Sequence, residues 1–190
     1  MTHKKPLPLL STADLDAISR ILAKEAESEG LSMAVAGGFA MNLYGSRRLT
    51  ADLDVIADRE LEAHQYADAG LSTAGRMAFG GQKFKTSQDV PVDWIVRRDR
   101  AADLYREALA TAGKAPGGLP YRIVTAPYLA AMKFWANRPK DHEDLKALIG
   151  LRAVNLRQVR GIIRRTLGPD AALEFSSLLA ELRLRMKQGE

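Results

Sequence analysis

The chain has 190 residues, a formal net charge of +5 and a sequence pI near 9.6. Hydrophobic residues make up 46% and charged residues 27%, a balance typical of a globular protein and not of a disordered one. It contains no cysteine, which excludes disulfides and thiolate metal sites, and no apolar run approaches the roughly 20 residues of a membrane helix.

We therefore expect a protein that lies in no membrane and, since it shows neither cysteine nor a secretory leader, a cytoplasmic one. Lys4 and Lys5 open the chain, but the run 6–10 that follows is too short and too interrupted by proline for a signal core. The net positive charge is consistent with a polyanionic partner, such as a triphosphate or a nucleic acid. It is equally consistent with an ordinary solvated surface, so the charge alone does not decide between the two.

The predicted elements alternate between helix and strand in the first two thirds of the chain. Ser11 followed by Asp14 is typical of a capped helix start, and Gly80-Gly81 is typical of a hairpin turn. In chain order, the pattern predicts a helix over 11–30, a strand over 33–36, helix 39–44, strand 49–57, helix 59–69, strands 77–79, 83–85 and 90–96, helix 99–112, strand 121–124, and helices 125–137, 141–152 and 156–187, the last broken at Gly168-Pro169.

This order predicts an α/β (α+β) fold, with a mixed sheet flanked by helices and an all-helical C-terminal third. No interdomain linker is evident. We expect residues 1–124 to form the α/β core and residues 125–190 to form a helical region packed on that core.

Two aspartates mark the predicted strand 49–57 as a candidate metal site. Asp52 and Asp54 are two residues apart, so in a strand their side chains project from the same face. Adjacent carboxylates resist ionisation unless a cation lies between them, and an oxygen-seeking divalent ion such as Mg²⁺ would suit them. A solvated strand end is the plainer alternative, which the apolar neighbours Leu53, Val55 and Ile56 make less favourable.

A glycine pair thirteen residues upstream suggests a phosphate site. Gly37 and Gly38 let a ligand approach the bare backbone N–H groups, and the start of the next helix would add positive potential. Two glycines alone are common in ordinary turns. Arg48 and Thr50 alternate onto the face of the aspartates, where Arg48 would either clamp a triphosphate or pair with Asp52 or Asp54.

Gly37-Gly38 followed by Arg48-x-Thr50-x-Asp52-x-Asp54 resembles the signature of the polymerase-beta-type nucleotidyltransferase superfamily. It is most similar to the small bacterial nucleotidyltransferases that include the abortive-infection toxins. The resemblance spans residues 33 to about 150. Members often carry Gly-Ser at the glycine pair; Gly38 lacks that hydroxyl, which Thr50 could supply.

The resemblance implies roles for residues that spacing alone does not assign. Members of the superfamily have a third carboxylate on a later strand, and Asp93 matches it here. By this resemblance, Asp93 would complete a two-ion Mg²⁺ site with Asp52 and Asp54 beside the attacking hydroxyl. Members also have a helical lysine followed by arginine and aspartate residues. The residues that match this pattern, and are therefore candidates for triphosphate binding, are Lys133, Arg138, Asp141 and Asp144. Asp141 also fits a helix cap, and which of the two aspartates is functional stays open.

The implied function is Mg²⁺-dependent transfer of a nucleoside monophosphate from an NTP to an acceptor hydroxyl on RNA, a protein or a small molecule. A toxin with a cognate antitoxin is one form of this hypothesis. The alternatives are a non-catalytic nucleotide- or partner-binding module and a basic nucleic-acid binder. The nucleic-acid binder would use a basic stripe at helical spacing, which consists of Arg157, Arg160, Arg164 and Arg165. These arginines also fit an ordinary solvated helix face, which is the interpretation we favour.

Overall fold

The computed structural model describes residues 11–188, with side chains described up to residue 186. Lys4, Lys5 and the run 6–10 lie outside the described residues. The helices are α1 (Thr12–Ser28), α2 (Gly37–Leu43), α3 (Ala63–Asp68), α4 (Ala102–Ala110), α5 (Ala126–Ala136), α6 (Pro139–Gly150), α7 (Leu156–Leu167) and α8 (Pro169–Gln188). The strands are β1 (Met33–Val35), β2 (Leu53–Ala57), β3 (Leu71–Arg76), β4 (Gln82–Thr86), β5 (Pro91–Ile95), β6 (Gly113–Lys114) and β7 (Arg122–Ile123).

Seven strands form one mixed sheet in the order β3-β4-β5-β2-β1-β7-β6. The pairs β2–β5 and β1–β7 are parallel, and the remaining neighbours are antiparallel. The predicted α/β class with a mixed sheet is therefore confirmed. The central strands β2 and β5 are flanked on both sides, so the charged residues that they carry lie in the middle of the sheet.

Local sequence signals account for the start of α1 and the break between α7 and α8. Ser11 and Asp14 form the predicted capping box: the Ser11 hydroxyl accepts from the Asp14 N–H at 3.2 Å, and the Asp14 carboxylate accepts from the Ser11 N–H at 3.2 Å. The proline at position 169 begins α8 directly after α7 ends, so the predicted break between the last two helices is also present.

The strand predicted over 49–57 begins only at Leu53, which leaves Asp52 in a bend before the strand. The reason is that residues 46–50 return to α2: the Asn42 side chain donates to the carbonyls of Ser46 and Arg48. The residues 77–79 predicted as a strand instead form the hairpin turn with Gly80-Gly81, and the strand before the turn is β3. Helices α3 and α4 are shorter than predicted, and Pro139 begins α6.

The predicted C-terminal helices are present and share the core of the sheet. Eight of the eleven residues of α5 are buried, and α5 packs against α4, α6 and α7. One hydrophobic cluster contains both strand residues such as Trp94 and helix residues such as Phe175. Among residues 11–188, no helix is both long and apolar enough to span a membrane.

Candidate active site

Strands β2 and β5 bring two of the predicted carboxylates side by side. In their parallel register Asp54 lies opposite Asp93. Asp52 precedes β2 in a bend, so strand alternation does not orient its side chain; instead the Thr50 hydroxyl donates to Oδ1 of Asp52 at 2.7 Å. Asp54 and Asp93 are therefore neighbours in the sheet, and Asp52 lies near enough for its charge to act on both, although by a different local geometry from the one expected.

These carboxylates are costly to ionise together. Burial and the negative charge of Asp52 raise the pKa of Asp54 to about 6, against the opposing charge of Lys133. Burial also raises the pKa of Asp93, with Asp52 adding to the effect and Lys83 opposing it. Among residues 11–188, the carboxylates of Asp54 and Asp93 have no hydrogen-bond or ion-pair partner. A cation placed between them would remove this repulsion.

The donor set fits a magnesium ion that completes its shell with a ligand. No group of three or more metal-ligating side chains is preassembled within the described part of the chain. Mg²⁺ usually binds proteins through only one or two carboxylates, and substrate phosphates and water supply the other oxygens. The neighbouring carboxylates of Asp54 and Asp93 meet that requirement.

Two glycines let the backbone come close to the acidic residues. Gly37 has φ +60°, and a Cβ atom there would lie 1.7 Å from Oδ2 of Asp54. A Cβ atom at Gly38 would lie 2.5 Å from the hydroxyl oxygen of Thr50. The structure therefore leaves no room for a side chain at position 38 while Thr50 keeps its place, and the Thr50 hydroxyl occupies the adjoining space.

The other predicted binding residues form a buried network of ion pairs between α5, α6 and the segment before β2. Nζ of Lys133 lies 2.6 Å from Asp144 and 3.2 Å from Asp141. Nε of Arg138 lies 2.6 Å from Asp141, and Nη1 of Arg48 lies 3.1 Å from Asp144. The expectation that Arg48 pairs with Asp52 or Asp54 is wrong, because residues 48–52 do not continue the strand.

Asp141 also has the structural role that the sequence suggested for it. Its carboxylate accepts from the backbone N–H of Arg138 at 3.2 Å and closes the first turn of α6. Asp144 makes no such cap and instead bridges Lys133 and Arg48. The assignment of Lys133, Arg138, Asp141 and Asp144 to substrate binding stays a prediction.

A cleft of about 560 Å³ opens beside Asp54 and Asp93 and contains residues that the sequence analysis missed. Its walls carry basic and aromatic side chains: Arg76, Lys83, Arg97, Arg138, Phe79, Tyr105 and Trp135. The Arg97 guanidinium lies 4.0 Å from the ring centre of Phe79 and 5.0 Å from that of Tyr105. Lys83 lies opposite Asp93 in the β4–β5 register, a contact that only strand pairing reveals.

Trp135 is only partly buried and lines the cleft. A smaller cavity of about 50 Å³ adjoins it and connects Gly37 and Asp54 with Lys133, Arg138 and Asp141. The carboxylates, the glycine turn and the ion-pair network thus share one continuous site.

Comparison with known proteins gives matches at the level of structure alone. No family model matches this chain, and no curated protein sequence matches it. The antibiotic-resistance factor ANT(2'')-Ia matches with a TM-score of 0.52 at 13% identity, over 94% of this chain and all of that one. An antigenic nucleotidyltransferase-like protein from Paracoccidioides brasiliensis matches with a TM-score of 0.53 at 15% identity, over 91% of this chain and 95% of that one. The chain therefore has the nucleotidyltransferase-like fold.

Proposed function

We propose that this protein is a Mg²⁺-dependent nucleotidyltransferase that moves a nucleoside monophosphate from an NTP to an acceptor hydroxyl and releases pyrophosphate. The single observation that carries the proposal is the pairing of Asp54 with Asp93, without ionic partners in the described structure, at the wall of a basic cleft. Nucleotidyl transfer requires little covalent help from the protein; it requires charge neutralisation and correct placement of the reacting groups.

Asp54 and Asp93, with Asp52, would hold Mg²⁺, which supplies neutralisation of the triphosphate charge and activation of the attacking oxygen when bound. The acceptor oxygen forms a bond to the α-phosphorus while the bond from that phosphorus to the oxygen bridging to the β-phosphate breaks. The Asp93 carboxylate, which borders the cleft, would accept the proton of the acceptor hydroxyl.

The basic and polar groups around the aspartates would position the triphosphate. The backbone N–H groups at Gly37 and Gly38 have no side-chain cap competing for them, and the Thr50 hydroxyl lies beside Gly38. We assign to Arg138, which borders both cavities, a direct contact with phosphate. Arg48, Lys133, Asp141 and Asp144 would hold this side of the site in position through their ion pairs.

The sharpest test is transfer of label from each α-³²P-NTP, with MgCl₂, to total RNA or protein. Asp54→Asn and Asp93→Asn should each lower transfer by about 100-fold or more, since each removes a carboxylate that would hold the magnesium ion, whose charge stabilises the transition state. Asp58→Asn is the matched control, because Asp58 is an exposed aspartate just beyond the other end of β2. Transfer that survives both site substitutions would refute the proposal.

A non-catalytic nucleotide-binding module is the second candidate, favoured by the lack of a preassembled three-ligand metal group among residues 11–188. It predicts tight NTP binding by the wild-type protein with no transfer to any acceptor. The same assay, with equilibrium binding measured in parallel, separates the two functions.

We also propose that the activity makes the protein a cytoplasmic toxin that a cognate antitoxin restrains; the motif resemblance is its support. Expression of the wild-type chain should then arrest growth, and expression of Asp54→Asn should not. Growth unaffected by an active wild-type enzyme would refute this role while leaving the chemistry intact.

A further inference from the structure

The positive charge of this protein is concentrated in one segment. Residues 145–169 contain six lysine and arginine residues and no aspartate or glutamate. The segment therefore carries a charge of +6, whereas the rest of the chain, with the total at +5, is close to neutral. The segment comprises the end of α6, the following turn and all of α7.

Three arginines of this segment form an exposed stripe along α7. Arg157, Arg160 and Arg164 are spaced by three and four residues, so they project from one face of the helix, and all three are exposed. The rise of 1.5 Å per residue spreads them over about 10 Å. We call these three residues the α7 stripe.

The three arginines of the α7 stripe have no acidic partner within residues 11–188. Three exposed arginines on other helices, by contrast, are paired: Arg20 with Asp16, Arg106 with Asp103, and Arg185 with Glu181. The neighbouring Arg165 is also paired, with Glu107 of α4 at 2.7 Å. Three unpaired charges in a row leave a strong local field that is available to an external anion.

The apolar face of α7 is not available for insertion into a lipid bilayer. Val159, Ile162 and Ile163 are buried, and α7 packs against α4, α5 and α8. An interfacial helix needs an apolar face free to enter the bilayer, and that of α7 is occupied. A partner with regularly repeated charge and no need for an apolar contact is the phosphodiester backbone of a nucleic acid.

We propose that the α7 stripe binds the backbone of a nucleic acid strand. Arginine suits this role because its planar guanidinium can contact phosphate with two N–H groups at once. The stripe contacts phosphates and carries no base recognition, so binding is weakly dependent on sequence and strongly dependent on salt. If the protein is a nucleotidyltransferase, the bound strand would be the acceptor of the transferred nucleotide, and this consequence rests on the proposed function. The binding of the strand does not rest on it.

The test is fluorescence anisotropy of labelled single strands of about 20 nucleotides, RNA and DNA of one sequence, titrated with the full chain at several salt concentrations. The variant Arg157→Gln/Arg160→Gln/Arg164→Gln should bind about tenfold more weakly, and its salt slope should be smaller in magnitude by about 2. The ratio of RNA to DNA affinity identifies which source of phosphodiester the stripe prefers.

The control variant Arg20→Gln/Arg106→Gln/Arg185→Gln loses the same charge from exposed helix positions whose arginines are already paired. It should bind like the wild-type protein, and circular dichroism should show that both variants fold. The proposal is overturned if the wild-type chain binds neither strand, if the stripe variant binds normally, or if both variants lose the same affinity. Because the assay contains no NTP, these outcomes are independent of transfer activity, which the Asp54→Asn comparison reports separately.

Discussion

Gly30 and Gly37 share nearly the same backbone conformation but differ in their surroundings. Gly30 has φ +61° and nothing within 4 Å of the position that a Cβ atom would take. Gly37 has φ +60°, and a Cβ atom there would collide with the Asp54 carboxylate. Substitutions at these two glycines therefore measure two free-energy costs separately: that of a left-handed backbone conformation, and that of a side chain that fills the space beside Asp54.

We predict that Gly30→Ala lowers the free energy of unfolding by about 1 kcal/mol, the cost of placing an L-residue in that conformation. Gly37→Ala should cost about 1–3 kcal/mol more, because it also displaces Asp54 from its place beside the glycine turn. Urea unfolding of the two variants measures both values. Equal losses would show that Gly37 is kept for its backbone conformation alone.

The unpaired carboxylates predict a response to magnesium. At a fixed concentration of a non-hydrolysable NTP analogue, MgCl₂ at ten times its Kd should stabilise the wild-type protein by about 1.4 kcal/mol. The stabilisation is measured as an increase in melting temperature on addition of MgCl₂. Asp54→Asn should show little of this increase, whereas Asp58→Asn should respond like the wild type. A normal magnesium response from Asp54→Asn would place the ion elsewhere.

Helices α5 and α6 are joined at the site by ion pairs. Burial alone would raise the pKa of Asp141, but the hydrogen bond from Arg138 and the positive charge of Lys133 hold it below its ordinary value. A carboxylate with a lowered pKa in the folded state stabilises the fold above its unfolded pKa, near 4, and loses that contribution as the pH falls through the folded value.

We therefore predict that Asp141→Asn destabilises the protein by about 3 kcal/mol at neutral pH, since it leaves the buried Lys133 with one ionic partner fewer. The difference from the wild type should shrink as the pH falls below about 4. Asp103→Asn is the control; it removes an exposed pair with Arg106 and should cost less than about 1 kcal/mol. Urea unfolding at several pH values measures both, and a difference that does not change with pH would contradict the ion-pair explanation.

At the scale of the whole molecule, the helical third completes the core of the sheet. Leu129, Ala130 and Ala131 of α5 are fully buried within the single hydrophobic cluster that also contains the central strands. The Tyr128 hydroxyl reaches Glu107 of α4 at 2.8 Å, which ties the helical region to the segment before it. Residue 124 therefore marks the point where the chain changes from mixed α/β structure to helices. The hydrophobic core is continuous across this point.

We predict that a fragment ending at residue 124 does not fold, because removal of α5 exposes the apolar surface that this helix covers. Circular dichroism during heating should show no cooperative transition for the fragment and a single one for the intact chain. A cooperative transition in the fragment would show that the α/β part is an independent domain.

Local sequence patterns predicted the parts of the site that lie close together in the chain. The spacing of Gly37, Asp52 and Asp54 marked the acidic end of β2, and periodicity placed Asp93 in a strand. Strand periodicity was wrong for residues 49–52, because the side chain of Asn42 holds the preceding residues near α2. Patterning reports which residues prefer a strand and contains no information about such a tertiary hydrogen bond.

By itself, the sequence determined the chemistry available to this protein: clustered carboxylates beside a glycine turn, and a segment of 25 residues without an acidic side chain. The tertiary structure alone decided which charges from distant segments lie together. Arg48 pairs with Asp144, 96 residues away, and Lys83 faces Asp93 only because β4 pairs with β5. Charge and periodicity are local properties of the chain, whereas an ion pair depends on where distant segments meet, and the packing of sheet and helices sets those positions.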